Sequence, residues 1–368
     1  MSTPRSSRRR TVEVQTTDEL DALVAAGATS MAGWQLQDLD LRGHTDVLRG
    51  LDPRGALLLG CVLGPGVEDR LRVGGALVFP TVPDVPVDAY RARLYTPDEL
   101  YDGLGAGGYG ATLDARVYAW AQRTGHDLQS LLVRALHDLA VDDALDEHVA
   151  GRRIVGVMGG HALARDSTGY ADATRLGRSL SVAGLTVATG GGPGAMEAAN
   201  LGAYLAGHDE HAVSEALDVL AAVPGFMPSV GDWARSAIDV RRRFPDGTDS
   251  LGVPTWFYGH EPPNAFADGI AKYFKNAIRE DVLLHVCTAG IVFLPGRAGT
   301  VQEVFQDACE NYYATGDRVA PMVLVGKDYW TEELPVWPLL QRLAEGRDLA
   351  DVLHLVDDLD EVATRLDA

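Results

Sequence analysis

An α/β fold, with a doubly wound, mostly parallel sheet and an additional N-terminal α+β region, is predicted by three observations. Ile154–Met158 (IVGVM) is an unbroken apolar run, as expected of a strand buried on both faces of a parallel sheet. Twice after it an apolar strand runs into a glycine-rich turn that opens a helix, first at 189–194 and again at 294–299. The segments between alternate in strand and helix spacing, which gives βα units with right-handed crossovers.

In chain order, residues 1–10 are polar and basic, lack the apolar core of a signal peptide, and are expected to form a disordered tail. Residues 11–150 form the N-terminal region, of unassigned role. In it 56–63 (ALLLGCVL) and 75–79 (GALVF) are expected strands, and Pro80, Pro83 and Pro86 then break any regular element. The glycine run 103–110 is expected to be a linker. From 113 to 149 apolar residues recur at three and four spacing and predict helix.

The C-terminal domain spans 151–368. After the first strand come a helix at 170–183, a strand at 185–188 and a helix at 195–206. Later strands are expected at 251–253, 290–294, 321–325 and 353–356. Helices are expected at 265–279, 300–312, 337–345 and 360–366. The stretch 208–249 reads as an insertion that carries a local basic cluster, Arg241 to Arg243. No internal repeat is evident.

Composition narrows the function. The chain has 368 residues and a formal net charge of −20, so a nucleic-acid surface is disfavoured. A small phosphorylated ligand needs only a local set of donors and remains compatible. No apolar run approaches the length of a membrane span. Cys61, Cys287 and Cys309 are far apart and show no ligand spacing, so buried thiols are expected rather than a metal site, in a cytoplasmic protein.

Two loops carry the candidate chemistry. The first contains Gly190, Gly191, Gly192, Gly194, Met196 and Glu197, the second Pro295, Gly296, Arg297, Gly299 and Thr300. Gly159 and Gly160 close the first strand beside them. Glycines admit a ligand close to the backbone, and the helix that each loop opens offers free N–H groups to an anion. Both loops lie at the carboxyl ends of strands of one sheet, the edge where Rossmann-like sheets bind ligands. Glu303 has two open roles: its spacing from Thr300 fits a capping box, and it equally fits a carboxylate facing the loop. In the aromatic stretch 254–264, Tyr258, His260 and Glu261 are candidate contacts to a base.

The second loop with Glu303 resembles the PGGxGTxxE pattern of the Lonely Guy family, matching at all positions except Arg297. Gly190 to Gly192 resemble the family's upstream glycine triplet. The match runs from about residue 152 to 366. The resemblance implies a nucleoside 5′-monophosphate phosphoribohydrolase that releases free base and ribose 5-phosphate, without a metal or cofactor. It implies that Glu303 stabilises charge on the ribose or activates water, and that Arg279 anchors the substrate and orients that carboxylate. It also implies a homodimer. In the family the arginine is usually followed by lysine; here Glu280 follows, and the spacing to Pro295 is one residue longer. Arg297 and Glu280 favour the alternative: a non-catalytic nucleotide or phosphorylated-cofactor binding protein, a carrier or sensor of the same superfamily, as molybdenum-cofactor carriers are.

Overall fold

The computed structural model describes residues 12–123, 127–257 and 261–366. The expected N-terminal tail therefore lies outside the described residues. The chain divides into two compact units, residues 1–93 with 126–144, and residues 94–125 with 145–368. The division runs through the N-terminal region: residues 94–125 and 145–150 belong with the C-terminal unit.

The first unit holds a four-stranded parallel sheet in the order β1 (Val12–Val14), β2 (Trp34–Gln37), β3 (Leu57–Leu59), β4 (Leu77–Phe79). The last two strands fall inside the expected runs, while β1 and β2 had no clear sequence signal. Helices Thr17–Ala25, Thr45–Gly50 and Val67–Val73 lie between successive strands. Thr16 and Glu19 form a reciprocal capping box at the first of them. Alternate strand residues Val14, Leu36, Leu58 and Val78 enter a core that Leu20, Leu48 and Leu71 from the helices complete.

A structural repeat appears that the sequence did not disclose. Gly33, Gly55 and Gly75 each stand just before a strand and are laddered, Val12 N–H to Gly33 O, Gly33 N–H to Gly55 O, and Gly55 N–H to Gly75 O, at 2.9, 3.0 and 3.1 Å. The steps of 22 and 20 residues are unequal and the strands only three or four residues long. No fixed period therefore stands out in the sequence.

In the second unit, seven parallel strands run in the order β11 (Leu353–Val356), β10 (Met322–Val325), β9 (Ile291–Phe293), β5 (Ile154–Met158), β6 (Thr186–Thr189), β7 (Leu251–Gly252), β8 (Gly269–Ile270). The doubly wound, parallel α/β class is as predicted. The sheet grows from β5 to β8 on one side, then returns to place β9 to β11 on the other. The strand order thus reverses between β5 and β9. All five residues of β5 are buried, as its uniform apolarity requires.

Helices Thr168–Val182 and Ala195–Tyr204 cross closely: a Cβ added at Gly202 would lie 1.9 Å from Thr174 O. The 208–249 stretch forms helices Glu210–Ala221 and Val230–Arg243. Its basic cluster is neutralised within the protein. Arg241 pairs with Asp268 at 2.8 Å, Arg242 with Asp239 at 3.1 Å and Arg243 with Glu215 at 2.7 Å. The cysteines are free, and Cys309 is exposed rather than buried, since its helix turns that position outward.

One expected helix is wrong. The 265–279 stretch is extended through β8, and helix begins only at Asn276–Val286. Asn264 Oδ1 accepts the Phe266 and Ala267 N–H groups, and Ala271 N–H donates to Gly252 O at 2.9 Å. The turn closed by Asn264 and the sheet bond at Ala271 outweigh the local helix preference of the alanines. Lys272 is then buried, where its Nζ meets Asp114 Oδ1 at 2.6 Å. Among the described residues no helix is long and apolar enough to cross a membrane.

Candidate functional site

The loops after β5, β6 and β9 meet at the carboxyl edge, around the point where the strand order reverses. Gly160 N–H donates to Pro295 O at 3.3 Å, and Ala195 N–H donates to Gly160 O at 3.1 Å. A Cβ on Gly296 would stand 2.1 Å from Thr300 Oγ1 and 3.1 Å from Gly160 N, so only glycine admits this clasp. A Cβ on Gly159 would stand 2.8 Å from that of Ala195, and one on Gly194 2.5 Å from Gly160 O. Tyr329 Oη donates to Gly296 O at 2.6 Å and pins the loop from outside. Helix Ala298–Tyr313 starts here with no side-chain cap, leaving first-turn N–H groups, including those of Gly299 and Thr300, for an anion.

A buried polar network holds the 190–192 turn. Thr189 Oγ1 donates to Asn200 Oδ1 at 2.6 Å and accepts Gly191 N–H at 3.0 Å. Asn264 Nδ2 donates to Gly192 O at 3.2 Å and to Asn200 Oδ1 at 3.0 Å, while its N–H bonds Gly191 O at 2.8 Å. Gly191 sits at φ 72°, in the left-handed region, against Val253 and Pro254. Met196 packs beneath this turn: a Cβ on Gly190 would lie 2.8 Å from its Sδ. Thr189, Asn200 and Asn264 were not singled out from the sequence as site residues. Both asparagines are buried at the glycine turn, where an unpaired amide is costly, and that burial shows only in the fold.

Arg279 and Glu303 are brought together beside this turn. Arg279 Nη1 lies 3.6 Å from Glu303 Oε1 and 3.7 Å from the position of a Cβ on Gly190. The same nitrogen lies closer, 3.0 Å, to Glu280 Oε2, and Glu280 Oε1 accepts from Asn276 Nδ2 at 3.3 Å. Arg279 is 9% exposed, and its Nε–H has no hydrogen-bond partner among the described residues. A buried donor left open at a glycine loop suits an anionic ligand. Burial pushes the Glu303 carboxyl up to about 8; Arg279 opposes this, and Glu280 and Glu261 add to it. One turn further on, Asp307 is also pushed well up by burial, and its Oδ2 is unpartnered among the described residues.

The capping alternative for Glu303 falls away. The helix starts at Ala298, with Arg297 at the N-cap, two residues earlier than expected, so Glu303 lies in its second turn. The Arg297 side chain points outward, 82% exposed, 3.6 Å from Glu333. Glu197 is fully buried and grips Arg165 with both oxygens; Arg165 Nε reaches Glu197 Oε2 at 2.9 Å. The same guanidinium donates to Ser236 Oγ, Trp233 O and Val223 O. Glu197 thus fastens the 161–165 loop to its helix. Glu261 stands beside the 190–192 turn, its Oε2 3.6 Å from a Cβ on Gly192 and its Oε1 3.3 Å from His161 Nδ1. Tyr258 and His260 lie outside the described residues.

No protein-family model matches the chain, and no curated protein matches it. Among solved structures it is similar to the molybdenum cofactor binding protein from the phototrophic bacterium Rippkaea orientalis, at 16% identity and a TM-score of 0.36, over 59% of this chain and 97% of that one. It is also similar to the molybdenum cofactor carrier protein of Chlamydomonas reinhardtii, at 18% identity and a TM-score of 0.36, over 59% of this chain and 99% of that one. A second structure of that carrier gives 18% identity and a TM-score of 0.35, over 59% and 96% of the two chains. Likeness at this level fixes neither ligand nor activity.

Proposed function

We propose that the protein binds a small phosphorylated, nucleotide-like ligand at the carboxyl edge of the seven-stranded sheet and holds it without cleaving it. The phosphate would lie among Gly160, Gly190 to Gly192, Gly296 and the N–H groups of Gly299 and Thr300, with Arg279 Nε as a charged donor. The observation that carries the non-catalytic reading is the division of Arg279. Its guanidinium is hydrogen-bonded to Glu280, and the buried Glu303 is pushed up to about 8. Both effects favour the protonated acid over the carboxylate in the ligand-free site. Stabilising the positive charge that grows on a ribose during N-glycosidic cleavage asks for a carboxylate.

Phosphoribohydrolase activity is the second reading. It is favoured by the 3.6 Å approach of Arg279 to Glu303 beside the glycine turn. Incubation with a panel of nucleoside 5′-monophosphates at pH 7 and pH 9, followed by product analysis, separates the two. The carrier reading predicts saturable binding and no free base or ribose 5-phosphate at either pH. The hydrolase reading predicts release that rises as pH passes through about 8 and disappears in Glu303→Gln. The molybdenum cofactor belongs in the binding panel beside the nucleotides. A homodimer is part of the same proposal, and a monomeric mass in solution at micromolar concentration would count against it.

A further inference from the structure

Arg279 faces two carboxylates and can satisfy only one of them well. Glu280 Oε2 is within hydrogen-bond reach at 3.0 Å, whereas Glu303 Oε1 at 3.6 Å is beyond it. The closer pair is built into one helix. Asn276, Arg279 and Glu280 all lie on Asn276–Val286, and Asn276, one turn before Glu280, holds its second oxygen. Glu303 comes from a different helix, Ala298–Tyr313. All three charged groups are at least nine-tenths buried. A single guanidinium in such a place neutralises one carboxylate, and the other avoids an uncompensated buried charge by keeping its proton.

Among the described residues, Arg279 is the cation that acts on Glu303. Arg279 and Glu280 face it from one helix, Glu261 from the segment over the 192 turn, and Asp307 from one turn along its own helix. Burial pushes up the Cys287 thiol, at the end of the Asn276–Val286 helix, and the nearby Asp307 and Glu303 carboxyls add to this. Of these, Arg279 alone is a cation.

We propose that Glu280 is a positioning residue which claims the Arg279 guanidinium and so leaves the Glu303 carboxyl without a bonded cation, free to act as a hydrogen-bond donor to the ligand. The position of Glu303 in the ligand site rests on the function proposed above; the proton on it does not. An acid there can donate to a phosphate oxygen, while a carboxylate would repel it. The upward displacement of Glu303 to about 8, to which Glu280 contributes, agrees with the geometry.

The test is a titration of the ligand-free, full-length protein labelled with carbon-13 at glutamate carboxyls. The Glu303 resonance is identified by its loss in Glu303→Gln. The wild-type midpoint is expected near 8. In Glu280→Gln an anion leaves and Arg279 turns to Glu303, so the midpoint should fall by at least about one pH unit. If that variant does not fold, Glu280→Asp, one methylene shorter and withdrawn from the guanidinium, should move the midpoint the same way. An ordinary wild-type midpoint near 4.5, or one that neither variant moves, overturns the role of Glu280. Failure of nucleotides to bind would overturn the proposed function instead and would leave this midpoint where it is.

Discussion

Glu303 links the chemistry of the site to the stability of the protein. Its carboxyl is raised from 4.5 to about 8 in the fold. The folded state therefore binds this proton more tightly than the unfolded chain does. That contribution is fully present below about pH 4.5 and is lost as pH rises toward 8, on the order of a few kcal/mol for a shift of this size. Glu303→Gln, which stays neutral, escapes the loss. The difference in melting temperature between this variant and wild type should widen in favour of the variant from pH 5 to pH 8, then level off. A difference that does not change with pH would mean that Glu303 is ionised in the folded protein.

Among the elements, the glycine turn after β6 depends on residues far from it in sequence. Asn264 bonds the backbone of Gly191 and Gly192 and the side chain of Asn200. Asn264→Ala keeps the N–H that bonds Gly191 O but would strand Gly192 O and the Phe266 and Ala267 N–H groups, at about 1–3 kcal/mol. It should lower the melting temperature and weaken ligand binding together, as thermal denaturation and calorimetric titration can check. The two glycine loops were legible in the sequence because each is contiguous and sits between an apolar strand and a helix. The role of Asn264 was not, because the loop it braces lies some seventy residues upstream. Nor did spacing alone separate capping from chemistry at Glu303, since the answer turned on a helix start two residues earlier than expected. The 265–279 error has the same root: the tertiary hydrogen bond from Ala271 N–H to Gly252 O and the local turn at Asn264 decide that segment, and the alanines there point to helix.

At the scale of the whole molecule, the surface and the site oppose each other in sign. The chain carries a net charge of −20, yet the proposed ligand is an anion held by backbone N–H groups and one arginine. Long-range repulsion should slow association, and salt should relieve it as the screening length falls from about 30 Å at 0.01 M to about 8 Å at 0.15 M. The association rate of a nucleoside monophosphate, followed by stopped flow, is expected to rise over that range. A nucleic-acid surface would show the reverse. The acidity that argued against nucleic acid was legible at once. The glycine-laddered sheet of the first unit was legible only at β3 and β4; β1, β2 and the repeat were not, because the strands are short and the steps unequal.

The most direct test of the central claim compares each nucleoside 5′-monophosphate with its own nucleoside by calorimetric titration at pH 7. If the glycine loops and Arg279 hold a phosphate, monophosphates should bind at least about tenfold more tightly than the matching nucleosides, the least expected for one charge-assisted contact. Equal affinities for the two, or no binding of any monophosphate, would contradict a phosphate site at the carboxyl edge of the sheet.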